Sequence, residues 1–579
     1  MPLFAYRKHR EKHWREVERM ENLNIRALFP SDDGNLQQRD YFIELVKQIV
    51  EGVDALKDPE AVNLKGTKER GQHFYRELTA SSRIPDGGRP LDQVNDELLK
   101  LLHGHPYHTK YFLTNILPMA STPGILGMLT AFMVNGNNLW DVYGPAGAEA
   151  EVRVVAMMSD LIGCNPSESG GYTTWGGQGA IFTGLRIAVN KHDASIKKAG
   201  VPHNLFAFCS EAAHYSLFKS MEATGLGTNN LIKVRTREDS SMDVGDLEAK
   251  MEQVILRGGV PVYIVATTAT TDAMGIDNIE EIAAASEALT AKYGMRRPHI
   301  HADSALGGFF AFFNDYDFAG NPLQFEEETL AALAAIRERM QHLRLADSLC
   351  FDFQKLGQTP YSTSLFLVKQ ASDLKLVDLE PDETPYVGHR GYGDYHTSYT
   401  LECSRMGSSI SILSALLAFG AEGYRKLLAQ FVEVNIAFRK TLSADVPEAV
   451  IVNPNNPGLI TLFRLYTDRK NGYAAECEGL RTKREIEREN RLNEMLFEIL
   501  GRDREKMFFG DTKKHLYVPT AERNGDVALY ASKLFVISPY TQTSDVAAIV
   551  DFLKQKITET YAAYERLAMK EKEHEKILV

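Results

Sequence analysis

Apolar residues recur in two patterns along the chain, and the two alternate through its central part. Short apolar runs bounded by glycine, proline or polar residues are typical of buried β-strands. Such runs lie at Leu205 to Cys209, Leu231 to Val234, Val262 to Ala266, His299 to Ala302, Leu349 to Phe353 and Ser364 to Val368. Between most of them apolar residues recur at helical spacing, as over Val244 to Leu256 and Ile279 to Tyr293. The alternation predicts an α/β fold with a mostly parallel sheet covered on both faces.

Different patterns flank this central part. On the N-terminal side, apolar residues at helical spacing from Tyr41 to Leu56 predict an amphipathic helix, which in the simplest interpretation packs on its own chain. On the C-terminal side we predict a long helix over Ile410 to Gly420, a charged helix over Thr482 to Leu500 and a strand over Lys533 to Ser538.

Composition is that of a large globular protein. The 579 residues, 44% hydrophobic and 25% charged, can bury a core in two or three subdomains. A net charge of −12 argues against binding nucleic acid or an anionic membrane. The five cysteines form no Cys-x-x-Cys pair, so no disulfide framework or zinc site is indicated, and a reducing cytoplasm is expected. We recognise no signal peptide and no run of about twenty apolar residues that could span a membrane.

Lys355 is the first candidate for chemistry. It follows the predicted strand Leu349 to Phe353, and the chain then breaks at Gly357 and Pro360. A lysine at a strand end in a partly dry pocket can lose its proton and form a Schiff base with a carbonyl cofactor. The alternative is an ordinary solvated loop lysine. Upstream, a second predicted strand ends at Asp303, which small residues follow.

Asp303, its small neighbours and the downstream Lys355 resemble the group II amino-acid decarboxylases, fold type I enzymes that use pyridoxal 5′-phosphate (PLP). The resemblance implies a mostly parallel sheet of the seven-stranded type, with Lys355 carrying PLP and Asp303 pairing with its pyridine nitrogen. It also implies a homodimer with an N-terminal helical arm over residues 1–105. A large PLP-binding domain would follow over 106–425, and a small α+β domain over 426–579.

A glycine-rich stretch over residues 170–180 precedes a predicted helix from Ile181 to Lys191. Backbone N–H groups at a helix N-terminus can bind an anion. The position matches the family's phosphate loop, although the family's Gly-Gly-Ser-Glu-Ala is Gly-Gly-Gln-Gly-Ala here. The resemblance therefore assigns Gly177 and the Gln178 position to the cofactor.

Further cofactor residues follow from the same resemblance. His214, in Ala-His-x-Ser with Lys219 downstream, would stack on the PLP ring, and Thr270 would lie beside it. The plainer alternatives are a structural histidine and a helix-capping threonine. The set is completed by Ala305, Asp352 and Gln354. Gln354 stands where the family commonly has histidine; it can donate to a phosphate oxygen but cannot act as an acid or base.

The segment from His105 to Phe112 resembles the substrate lip of group II decarboxylases. Together with Asn135 to Asn138 and Asn24 to Phe29, it is most similar to the bacterial tyrosine decarboxylases. By that similarity His108 and Thr109 would face the substrate, which we expect to be an aromatic or other uncharged amino acid. A metal site is the alternative for the histidines at 103, 105 and 108, but their spacing fits no standard zinc set.

The stretch from Leu379 to Thr400 has the composition of a mobile loop, and in the family such a loop supplies a proton-donating tyrosine. Among Tyr386, Tyr392, Tyr395 and Tyr399, we select Tyr395, because the glycines before it give it freedom to move, and Tyr392 next. The predicted catalytic set is therefore Lys355, Tyr395, His214 and Asp303.

The expected activity is PLP-dependent decarboxylation of an L-amino acid to its amine and CO₂. An acidic amino acid, such as glutamate or aspartate, is the alternative substrate. Another PLP reaction, such as aldehyde-forming oxidative deamination or carbon–carbon cleavage, is an alternative activity. A catalytically inactive homologue that binds PLP, or a scaffold that has lost the cofactor, is the non-enzyme alternative, although the intact Lys355 and Asp303 argue against both.

Overall fold

The computed structural model describes residues 25–66, 70–115, 117–380, 383 and 395–578. The N-terminal stretch 1–24, part of the region for which we predict no signal peptide, lies outside the described residues. So do Tyr386 and Tyr392 of the predicted loop. The chain forms two compact units, Met1–Tyr107 and His108–Val579.

The first unit is helical where it is described. Its α-helices are α1 (Leu36–Leu56), α2 (Phe74–Ser81) and α3 (Leu91–Leu101). The helix predicted from Tyr41 begins earlier, because the Asn35 side chain accepts hydrogen bonds from the N–H groups of Gln37 and Gln38 and so caps α1.

The second unit is built on a sheet of seven strands. They are β2 (Gly170–Thr174), β3 (Leu205–Ser210), β4 (Leu231–Val234), β5 (Val260–Thr267), β6 (His299–Asp303), β7 (Ser348–Asp352) and β8 (Ser364–Val368). Their order is β2-β8-β7-β6-β5-β3-β4. Neighbours from β7 to β4 run parallel, whereas β8 is antiparallel to both β7 and β2. The predicted α/β class and mostly parallel seven-stranded sheet are confirmed.

One strand of this sheet was not predicted. The stretch Gly170–Thr174, interpreted as part of a loop, is β2 and pairs with β8 from Gly170 opposite Val368 to Thr174 opposite Ser364. A Cβ atom on Gly171 would lie 2.2 Å from the carbonyl oxygen of Phe366, so the glycine permits the close approach of the two backbones.

Helices cover the sheet and continue beyond it. They are α4 (Thr122–Val134), α5 (Pro145–Leu161), α6 (Gly177–His192), α7 (Ile196–Ala199), α8 (Ser216–Ala223), α9 (Val244–Leu256), α10 (Ile279–Lys292), α11 (Glu327–Met340), α12 (Ser409–Asp445), α13 (Tyr473–Cys477), α14 (Lys483–Arg502) and α15 (Val546–Leu578). Gly420, with φ 57°, breaks α12 into two helices. No helix in the described ranges is both long and apolar enough to cross a membrane.

A second sheet lies in the C-terminal part. It contains β1 (Phe112–Leu113), β9 (Val450–Ile451), β10 (Ile460–Arg464), β11 (Phe508–Thr512) and β14 (Ala531–Phe535), in the order β1-β11-β14-β10-β9. A separate hairpin joins β12 (Tyr517–Pro519) and β13 (Asp526–Ala528). The division into domains at residues 105 and 425 stays a prediction, and helix α12 continues across the second of these positions.

Candidate active site

Two neighbouring parallel strands bring Lys355 and the carboxylates together. Strand β6 ends at Asp303 and strand β7 at Asp352, and Lys355 follows three residues later. The Lys355 Nζ atom lies 2.9 Å from Oδ2 of Asp352. Burial by itself disfavours the ammonium form, but the charges of Asp352 and Asp303 outweigh it and raise the pKa of Lys355 above its ordinary value. Without a bound cofactor, the site therefore holds a charged lysine.

The segment that carries Lys355 is tied at both ends. Oδ1 of Asp352 accepts a hydrogen bond from the Ser364 hydroxyl at 2.6 Å. The Gln354 side-chain oxygen accepts one from the N–H of Thr363 at 2.9 Å. A Cβ atom on Gly176 would lie 3.8 Å from Nε2 of Gln354, so the amide nitrogen faces the glycine-rich stretch. The glutamine thus anchors the segment and has a donor near the expected phosphate position.

Asp303 is buried, and hydrogen bonds reach one of its two carboxylate oxygens. Its Oδ1 atom accepts hydrogen bonds from the Ala305 N–H and the Cys350 S–H, each at 3.3 Å. Among the described residues no hydrogen bond reaches Oδ2. Sequence reasoning missed Cys350, although its place two residues before Asp352 in a strand puts both side chains on one face of the sheet.

His214 lies in the turn after strand β3. Its Nδ1 atom accepts a hydrogen bond from the N–H of Ser216 at 3.2 Å, and its ring packs on Tyr215 with centroids 4.2 Å apart. Burial lowers the pKa of His214, while the charges of Asp303 and Lys355 act on it in opposite directions. The imidazole is therefore neutral near pH 7 and shares the electrostatic surroundings of the lysine and the aspartate.

Gly177 begins helix α6 directly beside the carboxylate segment. A Cβ atom on Gly177 would lie 3.2 Å from Oδ1 of Asp352 and 3.3 Å from Cβ of Ala305. The Gln178 amide instead donates to the Ser216 carbonyl at 3.1 Å and the Ser220 hydroxyl at 2.9 Å. Gln178 therefore links α6 to the His214 turn, and the backbone N–H groups of α6 are the groups that could bind an anion.

Thr270 lies in the buried turn after strand β5. Its hydroxyl oxygen accepts a hydrogen bond from the N–H of Gly275 at 2.9 Å, which stabilises the turn. The same turn carries Asp272, which pairs with the buried Lys533 at 2.9 Å. The predicted place of Thr270 beside the cofactor ring stays a prediction.

The two predicted substrate residues lie next to the C-terminal sheet. The His108 ring packs edge-on against Phe112 with centroids 4.9 Å apart, and the His108 carbonyl accepts a hydrogen bond from Ser538 at 3.2 Å. The Thr109 hydroxyl is buried with no partner among the described residues. No contact described in the structure joins either residue to Lys355, so their substrate role stays a prediction.

Tyr395 is held by a different carboxylate. Its hydroxyl donates to Oε1 of Glu151 at 2.5 Å, and Glu151 also forms a buried ion pair with Arg405. Burial and the charge of Glu151 raise the pKa of Tyr395 far above its ordinary value. The structure does not bring this hydroxyl to Lys355. Sequence reasoning missed Glu151 and Arg405, which lie far apart in the chain.

Comparison with known proteins relates part of the chain to one family. The model for the pyridoxal-dependent decarboxylase conserved domain matches residues 79–320. The match covers less than half of the chain, and over this range the chain is similar to the pyridoxal-dependent decarboxylases. The match confirms the predicted resemblance and the predicted PLP cofactor, and it agrees with the predicted class, a PLP-dependent carboxy-lyase.

Individual relatives of this chain differ in the substrate that their names give. The chain is 25% identical over 372 residues to L-2,4-diaminobutyrate decarboxylase of Acinetobacter baumannii. The aligned part covers 61% of this chain and 66% of the relative, which is just under two thirds of the relative's length. The chain is also 24% identical over 382 residues to the L-aspartate decarboxylase dtxS4 of Metarhizium robertsii, and this alignment covers 64% of the chain and 69% of the relative. The fold is similar to that of Catharanthus roseus tryptophan decarboxylase in complex with L-tryptophan, with a TM-score of 0.69 and 18% sequence identity. The match covers 90% of this chain and 98% of that protein.

The residues at the sheet edge fit PLP. Lys355 offers an amine, and Asp303 has one carboxylate oxygen without a hydrogen bond from the described residues. Gly177 leaves space that a side chain would fill against Asp352 and Ala305. Among the described residues no cluster of three or more histidine, cysteine, aspartate or glutamate side chains could hold a metal ion.

Proposed function

We propose that this protein removes the α-carboxyl group of an L-amino acid and releases the amine and CO₂. The observation that carries the proposal is the buried grouping of Lys355 with Asp303 and Asp352 at the carboxyl edge of parallel strands. When bound, PLP accepts the electron pair that the departing carboxyl group leaves on the α-carbon.

Each residue of the site has a proposed task. Lys355 binds the cofactor through its amine, and Asp303 provides the negative charge that keeps the pyridine nitrogen protonated. The neutral His214 packs on the ring. Gly177 and the first N–H groups of helix α6 receive the phosphate, because the helix N-terminus favours an anion.

The substrate is proposed to be an aromatic or other uncharged amino acid. Support comes from the likeness of the His105 to Phe112 segment to the tyrosine decarboxylase lip and from the apolar contact between His108 and Phe112. The relatives named above act on a diamino acid and on an acidic one, and the fold neighbour on tryptophan. These proteins therefore differ in the side chain of their substrates.

Release of CO₂ from a panel of amino acids tests activity and substrate together. The panel is tyrosine, tryptophan, phenylalanine, glutamate, aspartate and 2,4-diaminobutyrate, with the PLP-loaded full chain and with Lys355→Ala as the blank. We expect release from an aromatic member only with the unsubstituted protein. Faster turnover of a charged member would overturn the substrate class, and release equal to the blank across the panel would count against decarboxylation of these substrates.

We further propose a homodimer. Helix α4 exposes an apolar face in which Ile125, Leu126, Phe132, Met133 and Val134 are each half or more exposed. An apolar patch of this kind is typical of a surface that another chain covers. A second copy is the proposed occupant, in agreement with the dimer implied by the family resemblance. The cytoplasmic location expected from the cysteine pattern stays a prediction.

A further inference from the structure

A column of polar side chains lies on one face of two neighbouring strands. Residues alternate across a strand, so His301 and Asp303 of β6 share a face, as do Ser348 and Cys350 of β7. The strands pair His301 with Ser348 and Asp303 with Cys350. The Ser348 hydroxyl lies 2.8 Å from Nδ1 of His301, and the Cys350 thiol lies 3.3 Å from Oδ1 of Asp303. Each strand residue thus has its polar partner on the adjacent strand.

We propose that Cys350 is a positioning residue that orients Asp303 toward the cofactor. Its S–H and the N–H of Ala305 both donate to Oδ1, which fixes the carboxylate plane and leaves Oδ2 for the pyridine nitrogen. The inference rests on the proposed function, because it gives Asp303 the task of pairing with PLP. In this role Cys350 acts through Asp303 and is not itself a catalytic residue.

The surroundings of Cys350 keep its thiol protonated, so that it can donate a hydrogen bond. The side chain is fully buried, and burial together with the charges of Asp303 and Asp352 raises the pKa of the Cys350 thiol well above its ordinary value. The thiol therefore stays protonated near neutral pH, and it is shielded from reagents. A thiolate in its place would repel Asp303 instead of holding it.

The neighbouring histidine adds no competing charge. Burial lowers the pKa of His301 to about 3, so its imidazole is neutral at pH 7. His301 bonds to Ser348, and no hydrogen bond between it and Asp303 is described. The hydrogen bonds that orient the Asp303 carboxylate are therefore the two that Oδ1 accepts, from the Ala305 N–H and the Cys350 S–H.

Two substitutions separate the hydrogen bond from packing. Cys350→Ser keeps a donor, whereas Cys350→Val removes the donor and keeps an apolar side chain in the site. Cys164→Val is the control, since Cys164 is another buried free cysteine. Cys350→Ala replaces the valine variant if that one does not fold. Each apoprotein is titrated with PLP, and the Kd is read from the visible absorbance of the bound cofactor.

We expect Cys350→Val to bind PLP about three- to tenfold more weakly, the usual effect of one hydrogen bond, while the serine variant and the control stay near the unsubstituted protein. The titration is repeated with 1-deazapyridoxal phosphate, which has a carbon in place of the ring nitrogen. Because Cys350 acts through the contact with that nitrogen, the valine variant should bind this analogue as the unsubstituted protein does.

Two results would overturn the inference. One is a serine variant as weak as the valine variant, which would indicate packing. The other is an equal loss of affinity for PLP and for the deaza analogue, which would show that the ring nitrogen is not involved. Neither measurement requires turnover, so a protein that binds PLP without releasing CO₂ would refute the proposed activity and leave the role of Cys350 standing.

Discussion

The Lys355 amine and the Asp352 carboxylate form a partly buried ion pair, with Nζ 2.9 Å from Oδ2. The carboxylate stabilises the ammonium form, and this form cannot attack a carbonyl because its electron pair holds a proton. A proton must leave Lys355 before the cofactor can attach. Asp352, which is already in contact with the amine, is the nearest described group that could receive it.

Lys355→Ala should abolish cofactor attachment and turnover. Only an amine can form the covalent link to PLP, so we expect the visible absorbance to vanish and CO₂ release to fall at least about a thousandfold. Lys369→Ala is the control, because Lys369 is another lysine that comes shortly after a strand of the same sheet. Near-normal decarboxylation by Lys355→Ala would remove this lysine from the mechanism.

Asp352→Asn should shift the pH dependence of cofactor attachment toward lower pH. Asp352 raises the pKa of Lys355, so its removal lowers that pKa and makes the neutral amine available in more acidic solution. The initial rate of PLP attachment to the apoprotein, followed by absorbance across pH, measures the shift. An unchanged profile would mean that another group controls the proton on Lys355.

Asp303→Asn should separate binding from catalysis. The amide keeps the shape of the side chain but loses the charge, so we expect turnover to fall about a hundredfold or more while PLP affinity falls much less. Turnover and the PLP Kd are measured on the same preparation. If both quantities fall by the same factor, Asp303 serves mainly to retain the cofactor.

Tyr395→Phe tests the proposed proton donor. If Tyr395 protonates the α-carbon after CO₂ leaves, the variant should yield less amine and some aldehyde formed with oxygen, while still binding PLP. The structure places its hydroxyl on Glu151, so a purely structural role predicts a lower Tm with normal amine yield. Tyr392→Phe and His396→Gln are examined in parallel. Full amine yield from Tyr395→Phe would place the donor elsewhere.

Phe132→Asp should weaken the proposed dimer. A charge on the exposed apolar face of helix α4 would have to be buried in the interface, so we expect the dimer dissociation constant to rise at least about tenfold. Sedimentation across a range of concentrations measures it. Leu256→Asp is the control, because Leu256 is 69% exposed on another helix. A monomer at all concentrations for the unsubstituted protein would refute the dimer itself.

Local pattern predicts most of the large sheet. Six of its strands follow from short apolar runs, and helix α9 is predicted at both ends, because in these elements the apolar spacing and the burial coincide. Strand β2 is not predicted from its sequence, because its glycines are also typical of loops. Position 171 has to be glycine because any side chain would collide with the carbonyl of Phe366, which is close in space but far away in the sequence.

The candidate site divides in the same way. Lys355, Asp303 and His214 can be found because each lies at or shortly after the end of a strand and stands in a recognisable motif. The bond of Tyr395 to Glu151 and the pairing of strand β1 with β11 join segments hundreds of residues apart, and no local pattern encodes them. The freedom expected of Tyr395 from the preceding glycines could not anticipate a buried carboxylate partner.

The bonds at both ends of the lysine segment have an energetic consequence. The Asp352–Ser364 and Gln354–Thr363 hydrogen bonds close the segment between strands β7 and β8 before any ligand arrives. Its backbone has already lost its conformational entropy during folding, so binding does not have to remove it again. Cofactor capture then has to order little more than the side chain of Lys355, and more of the binding energy remains to hold PLP.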